Sequence, residues 1–186
     1  MPTLVARMAV LSGLVLLALS GAPARAASIV ARDVGYLAAN ADLIVEAEVV
    51  GVSSSLGADG RPWTHNALRV VTYWKGSGPA VLDVQQLGGT FPDGRVLHVE
   101  GDLALQRGMR VVAFLDEDRG RLTSMLLGWS VFEVTEGLAV RRHQDDFGLL
   151  APTEDGGLRP VGAGTVSTPS NVLGLRAAVR LALGGK

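Results

Sequence analysis

Between residues 43 and 134 the chain repeats one pattern, and that pattern restricts the folds open to it. Stretches of five to eight residues alternate apolar and polar side chains, and glycine-bearing breaks separate them. The clearest is 43–52. Leu43, Val45, Ala47 and Val49 share one face, while Glu46 and Glu48 share the other and are expected to face solvent. Period-two alternation is what a half-buried strand shows. Further strands are predicted at 66–74, which carries the β-branched and aromatic run Val70, Val71, Thr72, Tyr73 and Trp74, and at 81–87, with Leu82 and Val84 inward and Asp83 and Gln85 outward. Others follow at 95–100 and 110–115. Arg110 to Leu115 is nearly continuous apolar after its first residue, which suits burial on both faces. Later strands are expected at 122–127, 131–134 and 138–140, the last two joined through Glu136-Gly137 as a hairpin.

The breaks carry their own chemistry. Residues 53–62 hold three serines, Asp59-Gly60 and Pro62, and are expected as a loop with Trp63 at its far edge. Gly88-Gly89 interrupts a strand at a bulge or corner. Gly88-Gly89-Thr90 lacks the spaced glycines, lysine and following helix of a phosphate loop. Asp116-Glu117-Asp118 lacks the alternating oxygen ligands of a calcium loop and is expected as a solvated hairpin turn.

Helices flank this run. Asp33 caps a short predicted helix over 31–41, with Val34, Leu37, Ala38 and Ala41 at helical spacing. At the other end, Thr168 as cap and Pro169 as first residue predict a helix over 168–184, its apolar stripe formed by Val172, Leu175, Val179 and Ala182. Residues 143–167 show no period and are expected to be an irregular tail. The fold class expected is all-β with flanking helices: a small, partly open antiparallel barrel of the OB Greek-key type over residues 27–142.

The first 26 residues read differently. Arg7 precedes an apolar run, and Ala24-Arg25-Ala26 has the form of a leader-peptidase site. The run is shorter than the roughly 20 residues that span a bilayer, so an exported protein, periplasmic or extracellular, with no stable membrane anchor after cleavage is expected. Loss of Arg7 and Arg25 leaves 15 basic against 18 acidic residues, net −3, which offers no nucleic-acid surface. The absence of cysteine excludes disulfide staples, thiol catalysis and thiolate metal sites. The remaining chain, about 160 residues, is long enough to hold together by an ordinary apolar core.

No catalytic constellation is legible. His65, His98 and His143 lie in three different segments, and His143 with Asp145 and Asp146 is the only local group of metal-ligand types. No G-x-S-x-G elbow occurs. No cofactor or metal is therefore expected. The candidate binding surface is one barrel end, formed by residues 53–63 and 91–95, with Trp63, Phe91 and Arg95 as its contacts.

Several of these segments occur in a familiar order. Ala41-Asp42 before the first strand, Tyr73-Trp74-Lys75-Gly76, Gly88-Gly89, Gly108-Met109-Arg110 before the apolar strand, and Leu127-Gly128-Trp129 together resemble a group of uncharacterised exported bacterial proteins. That group looks like the OB-fold of tissue inhibitors of metalloproteinases and netrin-like modules. The resemblance covers about residues 41–134. It implies the barrel; read from its surroundings, Tyr73-Trp74-Lys75-Gly76 is a strand end, with Trp74 closing one end of the barrel, Gly76 permitting a turn and Lys75 left as a solvated charge. Those inhibitors chelate the protease zinc through an N-terminal cysteine, which this chain lacks. The resemblance therefore implies a fold rather than that inhibitory site. The function expected is an exported non-enzymatic binding or interaction module with an unidentified protein partner, such as a secreted protease it serves. The alternatives are a hydrolase with a spatially assembled His/Asp site on His98 or His143, and a metalloprotease inhibitor.

Overall fold

The computed structural model describes residues 28–141 and 148–185. The leader predicted over 1–26, together with His143, Asp145 and Asp146, lies outside the described residues. The fold is mostly β. Its main sheet contains β2 (Leu43–Leu56), β3 (Pro62–Lys75), β4 (Val81–Leu87), β7 (Arg110–Asp118), β8 (Arg121–Gly128), β9 (Val131–Thr135) and β10 (Leu138–Arg141). The strands run in the order β10-β9-β7-β2-β3-β4-β8, and β7 also pairs with β8. The sheet therefore curls back towards itself. The β4–β8 seam is one parallel bridge, Val84 to Leu122, so the curled sheet stays open along most of that edge.

Curling separates two cores. Val45, Ala47, Val49, Leu68, Leu82, Val84, Val111, Ala113 and Leu115 fill the inside of the curl. Ile44, Val112, Phe114, Phe132 and Val134 point the other way and are covered by α1 (Val34–Asn40) and α2 (Val172–Ala182). The Phe114 and Phe132 rings meet at 5.8 Å there. β7 is thus buried on both faces, as its composition predicts. Over residues 44–47 β2 is as well, which corrects the solvent-facing assignment of Glu46. Glu46 is buried, and its carboxylate pairs with Arg110 at 2.6 Å. The alternation correctly separates two faces, but helices cover the second. The β2–β3 ladder shifts register three times, with the extra residue on β3 at Trp74 and Val71 and on β2 at Val50.

α1 starts where its cap predicts, with the Asp33 carboxylate accepting the Tyr36 N–H at 2.7 Å. Its other end corrects the reading of Lys75 as a solvated charge. The Lys75 ammonium donates to the carbonyls of Ala38 at 3.0 Å, Ala39 at 3.1 Å and Ala41 at 2.5 Å. Trp74 packs with the helix-covered core, and Arg176 of α2 lies 5.8 Å from its ring, so it does not close a barrel end.

Long-range pairing changes four further expectations. Residues 53–56 and 62–65 continue the β2–β3 ladder, leaving a turn at 57–61. Of the strand predicted at 95–100, only β6 (Val96–Leu97) pairs, with β5 (Gly89–Thr90). The expected tail contains β11 (Gly148–Pro152) and β12 (Leu158–Val161), and β11 lies parallel to β1 (Ser28–Val30). This small sheet packs over Trp129, whose indole N–H donates to the Arg32 carbonyl at 3.0 Å. α2 begins at Val172 with Asn171 as cap, later than Thr168-Pro169 predicts. The Ser170 carbonyl accepts from the Ala139 N–H of β10 at 2.9 Å, and the Val172 N–H donates to the Gly137 carbonyl at 3.0 Å, which ties this segment to the β9–β10 hairpin. Thr168 instead accepts from the buried guanidinium of Arg141 at 3.2 Å. Burial pulls the Arg141 pKa down to about 10, opposed by the charge of Asp33.

Candidate functional site

The outer half of the β2–β3 hairpin gathers a group of polar side chains on the main sheet. Its ladder pairs Ser53 with His65, Ser54 with Thr64 and Ser55 with Trp63. On the other side of β3, His65 pairs with Gln85 and Asn66 with Val84. Alternation then sends two sets of side chains to opposite faces.

The inward set is Ser54, Thr64 and Asn66. The Thr64 hydroxyl donates to the Gly88 carbonyl at 2.9 Å, and the Asn66 amide to the Val84 carbonyl at 3.2 Å. Gly88 and Gly89 have φ of 111° and 134°. A side chain at Gly89 would meet the Ser54 hydroxyl at 2.6 Å, and one at Gly88 the Leu97 carbonyl at 2.9 Å. The glycine pair therefore serves as the predicted corner and lets the β5–β6 hairpin lie against the barrel. A cavity of about 410 Å³ opens here, lined by Thr64, Gln86, Gly88, His98 and Asp102 among others. His98 is exposed, with its ring 3.9 Å from Glu100.

The outward set is Ser55, Trp63 and His65, continued on β4 by Asp83 and Gln85. Ser55 Oγ lies 2.9 Å from His65 Nε2, and His65 Nδ1 lies 2.9 Å from Asp83 Oδ2. The Gln85 amide donates to the same Asp83 oxygen at 3.0 Å. The three residues run diagonally across three neighbouring strands. Ser55 is two beyond the β2 partner of His65, and Asp83 is two before its β4 partner. Beside them, the Trp63 ring faces the Arg121 guanidinium at 4.3 Å, over a hollow of about 300 Å³ bounded by Asp118, Arg119, Arg121 and Thr123. The hairpin tip is held by Asp59, whose carboxyl lies below the usual range chiefly because it accepts the Arg61 backbone N–H at 3.1 Å.

Of the predicted contacts, Trp63 lies within β3 rather than on a loop edge and takes its cation from the β7–β8 side. Phe91 and Arg95 stack on each other at 5.0 Å in the β5–β6 turn. That turn is tied to the hairpin through the Thr90 N–H, 3.4 Å from Ser54 Oγ. Sequence reading missed the Ser55–His65–Asp83 array. The outward placement of Asp83 and Gln85 was its only visible signal, since the array exists only once two strand registers are set. Among the described residues no three His, Asp or Glu side chains converge as a metal site, and no helix is long and apolar enough to cross a membrane. Comparison with protein families, characterised proteins and solved structures gives no match.

Proposed function

We propose that this chain is an exported binding module built on an OB-like barrel, and that it meets a protein partner at the end formed by the β2–β3 hairpin, the β5–β6 turn and the β7–β8 hairpin. The observation that carries the reading is Trp63 stacked with Arg121 over an open hollow. Tryptophan and arginine are the side chains most often found at the energetic centre of protein interfaces. The OB-like assignment draws support from strand succession: a β2-β3-β4 meander, then β7 returning beside β2 and β8 bridging parallel to β4. The leader pattern in the sequence supports export, and a secreted protease fits as the partner of such a module.

The test is capture from periplasm and culture medium with wild-type protein and with Trp63→Ala and Arg121→Ala. One partner held by wild type and lost at least tenfold in Trp63→Ala is the expected result. Failure to recover a specific partner, or equal capture by the variants, argues against this surface.

A further inference from the structure

We propose that Ser55, His65 and Asp83 form an acyl-transfer site on the outer face of the barrel, with Ser55 as nucleophile towards small activated carboxylic esters. The argument begins with proton placement. An ionised carboxylate only accepts hydrogen bonds, so the 2.9 Å contact of Asp83 Oδ2 with His65 Nδ1 puts the imidazole proton on Nδ1. In the neutral imidazole Nε2 then carries a lone pair, and the 2.9 Å contact with Ser55 Oγ is a bond that the serine hydroxyl donates. This is the nucleophile, base and orienting carboxylate order of a serine hydrolase, which is recognised by geometry and not by chain order. Gln85 fixes the carboxylate by donating to the same oxygen at 3.0 Å.

Position supports access. Ser55 is exposed, and the His65 side chain retains 30% of its exposure, so an ester carbonyl reaches Oγ without rearrangement. Trp63 stands opposite Ser55 in the ladder and offers an aromatic wall for an aryl group. The site is an open strand face and not a cleft, which confines it to carbonyls that are already electrophilic and excludes amides.

The reaction balances without a cofactor. Ser55 Oγ bonds to the ester carbonyl carbon while its proton passes to His65 Nε2. The tetrahedral species collapses, the carbon–oxygen bond to the leaving group breaks, and that oxygen takes the proton from Nε2. Water then attacks the acyl-serine, gives its proton to Nε2, and releases the acid as Oγ recovers the proton. General-base assistance of this kind contributes about 10²–10⁴-fold.

The test uses p-nitrophenyl acetate turnover and a fluorophosphonate probe, with the adduct located by peptide mass. Wild type is expected to label at Ser55, Ser55→Ala to lose the label, and His65→Gln to slow labelling about a hundredfold or more. Asp83→Asn is expected to slow it to a lesser degree, while Ser53→Ala and His98→Gln leave it unchanged. Circular dichroism and melting confirm that each surface variant is folded. Absence of label on wild type, a label elsewhere, or equal labelling of Ser55→Ala overturns the proposal. Partner capture by Ser55→Ala at wild-type strength keeps the outcome separate from that of the binding surface.

Discussion

Replacing Lys75 with methionine isolates one long-range tie between the barrel and its first helix. The ammonium uses all three hydrogens on carbonyls at the end of α1, those of Ala38, Ala39 and Ala41. Carbonyls there have no partner within the helix, and they form the negative end of its dipole. Methionine keeps most of the aliphatic stem and removes the charge. The Ala39 bond is exposed and water can replace it, whereas the other two are partly buried. A hydrogen bond to a charged group contributes about 1.5–3 kcal/mol. Desolvation of the ammonium offsets part of that, so a net loss of about 2–3 kcal/mol is expected. At roughly 2–4 °C per kcal/mol for a domain of this size, Tm should fall by about 4–12 °C. Urea unfolding is the assay, with the slope m expected to stay constant. Arg69→Met is the control, because its 2.7 Å pair with Glu48 is exposed and such pairs contribute about 0–1 kcal/mol. A loss below about 0.5 kcal/mol for Lys75→Met would show Lys75 to be an ordinary solvated charge and refute the reasoning.

Two other perturbations test the frame around the candidate site. Asp116 has its carboxyl raised above the ordinary range, mainly by burial and then by the charge of Asp42, and its Oδ1 has no hydrogen-bond partner among the described residues. A raised carboxyl means the folded state binds the proton more tightly, so its contribution is present in acid and lost as pH climbs through the folded value. Asp116→Asn should therefore stabilise the protein at neutral pH by a few tenths of a kcal/mol after solvent screening, shrinking on acidification; urea midpoints at pH 7 and pH 4 decide it, and a gain that grows in acid contradicts it. Gly88→Ala should cost about 1–3 kcal/mol from its backbone angle alone. It should also expose the 91–99 segment to limited proteolysis, because the new methyl meets the Leu97 carbonyl; unchanged melting and cleavage would remove the glycine pair from its structural role.

Much of the fold was legible because strand alternation is a local property. Residues 43–49 and 81–87 state their faces through neighbours two apart, 110–115 states burial on both faces through an unbroken apolar run, and Asp33 states the start of α1 through a residue three apart. The turn at Glu136-Gly137 is equally local, and both residues adopt positive φ; the turn expected at Asp116-Glu117-Asp118 falls just later, at Arg119 and Gly120, also at positive φ, because β7 continues to Asp118. The candidate site was less legible. Trp63, Phe91 and Arg95 stand in the sequence as contacts of a candidate binding surface, but the cation that stacks with Trp63 comes from Arg121, far along the chain.

By itself the amino-acid sequence determined that the chain is β-rich, where its inward residues alternate, and that thiol chemistry is absent. Tertiary structure alone decided what covers the outer face of β2, that Lys75 terminates a helix, and that Ser55, His65 and Asp83 stand in one line. The physical reason is common to all three. Alternation specifies which face a side chain takes, whereas the element opposite that face, and the register at which strands pair, depend on contacts between residues distant in the chain. A serine, a histidine and an aspartate on three strands become one hydrogen-bonded array only when both ladders lock.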